Sequence, residues 1–289
     1  MIKLYDYEIP RKKFADNSAN IKIPNILIGR IKRISTEITY GQTETILEWY
    51  YECDEELVHL IYITRYLQDK GIHNIKLFMP YIPNARMDRI EEFTDVFTLK
   101  YFAEIINSLH FAKIVVCDPH SNVALALIHN LEFVPVNDFI RRTISTIRIK
   151  EIPDNEKLIL FYPDANAASR YIRMFQEEYT VGILKQNFLT GVTDSLGVAD
   201  ESVVRGNNIL MIDDICPRGA LLYNYAKKLK ELGALKIYLY ATHCENSILN
   251  SELLKSHSCV EEIFTTTSIF TKYIEDETGK IKIYEYGSI

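Results

Sequence analysis

Between Asn208 and Leu229 the chain reads NILMIDDICPRGALLYNYAKKL, and this stretch constrains everything around it. Ile209 to Ile212 form an unbroken apolar run bounded by polar residues, the pattern of a short strand buried on both faces of a parallel sheet. Asp213 and Asp214 follow, then the turn Cys216-Pro217-Arg218-Gly219, then apolar residues at helical spacing (Leu222, Tyr225, Ala226, Leu229). Two acids therefore stand at the carboxyl end of a strand where a helix begins. Open parallel sheets bind ligands at that edge, and the first N–H groups of the helix attract an anion. A single Asp there reads as a helix cap. Two adjacent acids repel each other and only one can cap, so a sugar phosphate, with hydroxyls for the acids and a phosphate for the helix, suits the stretch.

The remaining bounds are broad. A chain of 289 residues is long for one compact domain and comfortable for two, each burying its own core. With 47% hydrophobic residues, 25% charged and a formal charge of −6, the composition lacks the basic excess of nucleic-acid binding, so no nucleic-acid partner is expected. The start, MIKLYDYEIPRKKF, has no apolar core of a signal peptide, and no run of about 18 apolar residues occurs. The expectation is a cytoplasmic protein with no membrane association. The five cysteines are scattered and form no Cys-x-x-Cys pair, against a disulfide framework or a zinc site.

Along the chain, apolar alternation through Ile21, Ile23, Ile26 to Ile28 and Ile38 to Tyr40 suggests short strands. Leu57, Leu60, Ile61, Ile63 and Leu67 predict a helix from Glu55 to Lys70, ended by Gly71. Then come the strand Ile75 to Met79, a Pro-bounded loop with Arg86, Asp88 and Arg89, a helix from Thr98 to Leu109, and the strand Ile114 to Cys117 before Asp118-Pro119-His120. After a polar link near Lys150 to Lys157, the strand Leu158 to Tyr162 leads into Pro163-Asp164-Ala165-Asn166. A helix is expected over Ala168 to Glu178 and a strand over Val181 to Leu184, ending at Lys185. Gly191 to Asn208 is polar and aperiodic, as lids and unstructured loops are. A last strand, Lys236 to Ala241, ends in Thr242-His243. Alternating strands and helices predict an α/β fold, with mostly parallel sheets flanked by helices and loops gathered at one sheet edge. The halves share landmarks, Phe78-Met79-Pro80 with Phe161-Tyr162-Pro163 and Ile114–Asp118 with Ile209–Asp213, which suggests duplication into domains 1–148 and 149–289.

Neither G-x-x-x-x-G-K-[ST] nor G-x-G-x-x-G occurs. The segment Pro80-Tyr81-Ile82-Pro83-Asn84-Ala85-Arg86-Met87-Asp88-Arg89 nevertheless resembles the ATP-binding segment of phosphoribosyl pyrophosphate (PRPP) synthetases, with Met87 where the family has Gln. Asp213-Asp214 and the turn after them resemble the ribose-phosphate loop of that family and of type I phosphoribosyltransferases. Asp118-Pro119-His120 is similar to the family's Asp-Leu-His, Pro163-Asp164-Ala165 to the start of its pyrophosphate loop, Lys185 to the root of its catalytic loop, and Thr242-His243 also matches. The match covers most of the chain in order. It implies two tandem type I phosphoribosyltransferase-like domains, a homo-oligomer, and transfer of the β,γ-diphosphate of Mg-ATP to the anomeric hydroxyl of a ribose 5-phosphate group.

By the same resemblance, Arg86 and Asp88 hold the adenine nucleotide with Arg89 and His120 nearby, His120 and Asp164 are linked to Mg2+, and Lys185 joins them in catalysis. Asp213, Asp214, Cys216, Arg218, Gly219 and Ala220 make up the acceptor-binding loop, in which the Cys216 thiol itself reads as a bystander. Phosphoryl transfer rests on alignment and on cations near the phosphate oxygens, the role implied for Lys185. Taken singly, Arg86 and Arg89 read as solvated charges, His120 as a capping or core histidine and Lys185 as a surface lysine.

The departures carry information too. Where the family has Asp-Thr-Gly-Gly-Thr after its acids, this chain has Pro217-Arg218-Gly219-Ala220-Leu221, so both hydroxyls are gone and an arginine has entered. An arginine fork suits a longer or substituted phosphate chain. The acceptor is therefore ribose 5-phosphate, giving PRPP, or equally ADP-ribose, giving the ADP-ribose 1-pyrophosphate of related phage enzymes in NAD+ reconstitution. Lys185-Gln186-Asn187 lacks the family's Lys-x-Arg, and Asn166-Ala167 replaces a glycine pair. These losses keep open a non-catalytic regulatory partner of a PRPP synthetase. A plain phosphoribosyltransferase is the remaining alternative, disfavoured by the Arg86–Arg89 segment.

Overall fold

The computed structural model describes residues 1–4, 7–13, 16, 18–25, 28, 44–186, 193–272 and 276–286, with residues 185, 186, 193 and 194 placed by their backbone alone. Most of the strands expected at Ile26 to Ile28 and Ile38 to Tyr40 fall outside the described residues. The chain divides into two compact units, Met1–Val134 and Pro135–Ile289.

In the first unit, β1 (Ile2–Leu4), β2 (Tyr7–Glu8), β5 (Thr45–Trp49), β6 (Ile75–Phe78), β7 (Lys113–Cys117) and β8 (Leu131–Val134) form one sheet in the order β2-β1-β5-β6-β7-β8, while β3 (Arg11–Lys13) and β4 (Ala19–Ile21) form a separate hairpin. From β5 to β8 all pairings are parallel; β1 is antiparallel to both its neighbours. Helix α1 (Glu55–Asp69) buries Leu60, Ile63 and Leu67 on one stripe, as their spacing requires. It stops at Gly71, whose φ of 82° only glycine adopts at no cost. Helix α2 (Thr98–Ser108) buries Leu99, Phe102 and Ile106, and α3 (Asn122–Leu127) buries Ala124.

One acid lies inside this unit. Glu56, 2% exposed, accepts hydrogen bonds from Trp49 Nε1 (3.0 Å), the Glu52 N–H (2.9 Å), the Met1 amino group (2.6 Å) and Arg11. A buried carboxylate is tolerated on such terms only. Burial alone would raise its pKa, but the bonds from the amino group, Arg11 and Trp49 outweigh burial and hold it below the usual value.

The second unit is built on β9 (Leu158–Tyr162), β10 (Tyr179–Gln186), β11 (Thr193–Val198), β12 (Asn208–Cys216), β13 (Ile237–Cys244), β14 (Val260–Thr266) and β15 (Ile281–Tyr284), ordered β11-β10-β9-β12-β13-β14-β15. Every pairing is parallel except β10 with β11. Strand β12 is central, and its alternate residues feed two cores. Ile209 and Met211 pack with Leu222, Tyr225, Ala226 and Leu229 of α6 (Ala220–Glu231). Leu210 and Ile212 pack with Tyr171 of α5 (Ala165–Tyr171) and with Ile140, Ile144 and Ile147 of α4 (Asn137–Lys150). The unbroken apolar run is thus a strand covered on both faces.

Three expectations need correction. Helix α4, placed in the first domain by the 148/149 boundary, packs in the second unit's core, so the division falls at Val134/Pro135. The helix expected at Ala168 to Glu178 runs from Ala165 to Tyr171 and yields to a 3-10 turn, Ile172–Met174. It starts early because Asp164 caps it, and it stops where Phe175 turns extended (φ −133°, ψ 154°). The aperiodic stretch after Gly191 is no simple loop: from Thr193 to Val198 it forms β11, paired along β10, and its first two residues lie outside the described ones.

Candidate acceptor and nucleotide sites

In the second unit the singled-out residues lie at the carboxyl ends of β9, β10 and β12 and in the loops that follow β9 and β12. Pro163-Asp164 follows β9, and Asp164 Oδ1 accepts the Ala167 N–H at 2.8 Å, capping α5. Its carboxyl group is exposed and keeps acceptor capacity beyond the cap. Gly182 of β10 allows this turn to sit low: a Cβ there would stand 2.4 Å from the Pro163 carbonyl oxygen and 2.7 Å from the Tyr225 ring.

Asp213 and Asp214 lie within β12, which runs on to Cys216 because β13 pairs with it as far as Cys216↔Cys244. Successive side chains of a strand point to opposite faces, so the acids are divided. Asp214 takes the face of Leu210 and Ile212, the α5 side, where Arg170 Nη2 contacts its Oδ1 at 2.5 Å; its side chain is 3% exposed. Arg170 is itself stacked over the Tyr171 ring, 5.3 Å from the centroid. Asp213 takes the α6 face, is half-buried, and accepts the Asp214 N–H at 2.9 Å. Burial, and then the Asp214 charge, push the Asp213 carboxyl well above the usual carboxylate range, with Arg170 opposing them.

The turn after the acids is held from behind. The Cys216 carbonyl accepts from the Glu245 N–H (3.1 Å), Pro217 from Ser247 Oγ (3.2 Å), Arg218 from Ser251 Oγ (2.7 Å) and Gly219 from the Tyr223 N–H (2.8 Å). Four consecutive carbonyls are occupied. The N–H groups of Arg218, Gly219, Ala220 and Leu221, which open the 12-residue helix α6, have no hydrogen-bond partner among the described residues. Gly219 sits at φ 67°, the left-handed region, and its missing Cβ leaves room for Leu253. The Arg218 guanidinium is exposed and makes no ion pair among the described residues. Ala220, first in the helix, is exposed as well. The Cys216 side chain is fully buried against Cys244, its hydrogen bond to that thiol and burial raising its pKa, so it offers no thiol to the acceptor loop. On β13, buried His243 meets Ser268 Oγ through Nδ1 at 2.8 Å. Lys185 lies opposite Ser195 in the β10–β11 ladder, and its side chain is outside the described part.

In the first unit the segment after β6 is anchored by buried Tyr81, Ile82, Pro83 and Ala85 and reversed by Asn84 at φ 62°. The backbone bonds Met79 N–H to Val115 (2.9 Å) and Cys117 N–H to Pro80 (2.9 Å) tie it to β7. Arg86 is exposed and makes no ion pair among the described residues, Asp88 is half-buried, and Arg89 is paired with Glu91 at 2.7 Å. Beside this segment's tie to β7, Asp118 is 8% exposed at φ 41° and His120 is half-buried. The unit thus gathers Arg86, Asp88 and His120 on loops that follow adjacent parallel strands, while Asp164, Asp213, Asp214, Arg218 and Gly219 belong to the second unit. Among the described residues no group of three or more His, Cys, Asp or Glu side chains could enclose a metal ion. Sequence reasoning missed Arg170, Gly182, Ser247 and Ser251; only Arg170 left a trace, as a cation six residues past Asp164 on a capped helix.

Residues 196–288 match the model of the phosphoribosyl synthetase-associated domain. The ribose-phosphate pyrophosphokinase of Thermococcus kodakarensis is 26% identical over 228 residues, covering 77% of this chain and 76% of that protein. The ribose-phosphate pyrophosphokinase of Thermosipho africanus is 25% identical over 288 residues, covering 97% and 84%. Among solved structures, phosphoribosylpyrophosphate synthetase from Mycobacterium smegmatis superposes with a TM-score of 0.74 at 14% identity, covering 96% of this chain and 86% of that one. The relatives and the solved structure match along most of the chain and the family model over residues 196–288, so the chain is similar to PRPP synthetases in sequence and in fold.

Proposed function

We propose that the chain is a Mg2+-dependent pyrophosphokinase that moves the β,γ-diphosphate of ATP onto the anomeric hydroxyl of a ribose 5-phosphate group and releases AMP. The observation that carries this reading is the β12–α6 turn: an acid pair followed by four occupied carbonyls and four N–H groups without protein partners. Carboxylates accept sugar hydroxyls. A row of amides with no carbonyl facing the ligand suits a phosphate.

In this reading Asp213, with Asp214 behind it, accepts the ribose hydroxyls, and the N–H groups from Arg218 to Leu221 hold its 5-phosphate. Arg86 and Asp88 hold the adenine nucleotide, with Arg89 at the rim. The anomeric oxygen bonds to the β-phosphorus as the bond from that phosphorus to the α-phosphate oxygen breaks, its electron pair leaving with AMP and the hydroxyl giving up its proton. Lys185 is the cation proposed to offset charge on the transferred oxygens. His120 in the first unit and Asp164 in the second are each proposed as a ligand of Mg2+. Asp164 fits that role, since its cap leaves an exposed carboxylate oxygen, and so sparse a protein donor set suits an ion that keeps its waters and borrows phosphate oxygens. Bound Mg2+ would supply charge compensation to the phosphates.

Arg218 favours ADP-ribose as the acceptor, because an exposed guanidinium without an ion pair stands where the family places neutral hydroxyls. It can grip the second phosphate, which ribose 5-phosphate lacks. The cytoplasm and a homo-oligomer are the proposed setting. Incubating the purified protein with Mg-ATP and ribose 5-phosphate, ADP-ribose or no acceptor, with product analysis by mass spectrometry, tests the reading. AMP with ADP-ribose 1-pyrophosphate supports the second acceptor, AMP with PRPP the first, and no AMP in any tube refutes the enzyme.

A further inference from the structure

We propose that Arg170 is a positioning residue of the acceptor site: by gripping Asp214 it locks the loop after β9 to the acids of β12 and leaves Asp213 as the carboxylate open to the ligand. The inference deepens the proposed function and rests on it for the identity of the ligand. The geometry behind it has three parts. Arg170 lies on a helix whose start is fixed by Asp164, its guanidinium lies over the Tyr171 ring, and Tyr171 stacks in turn on Tyr162 of β9 with the rings 6.4 Å apart and 19° from parallel. The guanidinium is therefore held in place before any ligand arrives, with a side chain 19% exposed. It reaches the one acid that the pleat of β12 has turned away from the amide row.

The charged and titratable neighbours of Asp213 divide in the same way. Asp214 adjoins it on the strand, Cys216 lies three residues on, and His243 of β13 is bonded to Ser268. Asp164 caps α5 from the β9 side. Arg170 is the cation among them, and its charge works against the repulsion between the two acids. Two adjacent carboxylates would otherwise share protons, and a pair that takes up a proton near neutrality loses acceptor capacity for sugar hydroxyls. Arg170 keeps Asp213 ready to accept them.

The test is a pH titration of the full chain carrying 13C-labelled aspartate carboxyl groups, read by NMR, with the Asp213 resonance assigned through Asp213→Asn. In Arg170→Gln, the first proton uptake by the Asp213–Asp214 pair, followed at both carboxyl resonances, moves to higher pH by about 1–3 units, the usual influence of an arginine in contact with a carboxylate. A role in stability alone would lower the melting temperature and leave that titration where it was; an unmoved titration in folded Arg170→Gln overturns the proposal. If Arg170→Gln does not fold, the comparison of Arg170→Met/Asp214→Asn with Asp214→Asn replaces it. There the ion pair is removed whole, so no buried charge is left alone. Loss of the arginine must still raise proton uptake at Asp213, and equal titrations refute the idea.

No turnover is needed for these readings. If the wild type releases no AMP, the proposed function fails while the role of Arg170 in the acid pair is still decided. If AMP is released, the acid limb of kcat/KM for the acceptor shifts upward in Arg170→Gln by the same amount, and an unshifted limb removes Arg170 from the acceptor site.

Discussion

Gly219→Ala tests whether the turn after the acids has the shape described. The residue sits at φ 67°, where a side chain costs about 1–2 kcal/mol. A Cβ built there would lie 2.2 Å from Leu253 Cδ1, 3.2 Å from its Cγ and 3.3 Å from Cys216 Sγ. The tip of a leucine can usually swing aside. Leu253 is fully buried, however, so moving it disturbs a packed core, at about 1–3 kcal/mol. Together these give a loss of about 2–5 kcal/mol, which in a unit of this size lowers Tm by roughly 5–15 °C. Differential scanning calorimetry reads it. The sharper observation is a cycle with Leu253→Ala, which makes space for the methyl but cannot change φ. In that background Gly219→Ala should cost only about 1–2 kcal/mol, the backbone share. A Tm within about 1 °C of wild type for the single variant, or full additivity in the cycle, would refute the reasoning.

Asp213→Asn should raise Tm at pH 7.5 by a few degrees. A carboxyl whose native pKa is raised contributes stability only below its unfolded value and loses it as pH rises through the native one, so the gain must fade as the pH is lowered toward 4; a gain independent of pH would count against it. Glu56 has the opposite sign. Its native pKa is lowered, so its stabilisation is present above the unfolded value, about 4.3, and is lost on acidification through the native one. Glu56→Gln should cost about 3–5 kcal/mol at pH 7 and much less at pH 3, read through Trp49, the chain's one tryptophan and a direct donor to Glu56; equal costs at both pH values would contradict the assignment. Arg218→Gln should cut kcat/KM for ADP-ribose about tenfold or more, as the loss of a charge-assisted hydrogen bond does, and leave ribose 5-phosphate within about twofold; equal losses for both would deny Arg218 a part in choosing the acceptor.

Much of the architecture was legible because burial leaves a trace in sequence. Strand β12 is covered on both faces, so Ile209 to Ile212 are all apolar, and α1 and α6 are covered on one, so their leucines recur at helical spacing. Elements with weaker one-sided burial were missed. Helix α4 buries Ile140, Ile144 and Ile147 at the right interval, yet its β-branched residues and its arginines disguise the stripe. Edge strand β15 buries only its two ends. The start of α5 was missed because Asp164 was read for its chemistry and not as a cap. Of the candidate residues quoted from local motifs, Arg86, Asp88, His120, Asp164 and Arg218 lie in loops, while Asp213, Asp214 and Cys216 lie within β12 and Lys185 within β10. Arg170 lies 44 residues from Asp214, and Ser251 lies 33 from Arg218. No local pattern encodes such contacts, because they exist only once the strands have been laid side by side.

The acid pair shows what that step adds. In sequence, Asp213 and Asp214 are neighbours that repel, and the simplest solution would be to let the strand end before them so that both reach water. The strand does not end there. Pairing with β13 continues to Cys216, and the pleat then places the two carboxylates on opposite faces. Only Asp213 remains on the α6 side with the amide row, while Asp214 would be a buried charge without compensation had α5 not been capped early enough to bring Arg170 over it. The cap at Asp164, the short length of α5 and the continued pairing of β12 therefore form one arrangement. A change that delays the start of α5 should be felt at the acids of β12 as well as at the Asp164 cap itself.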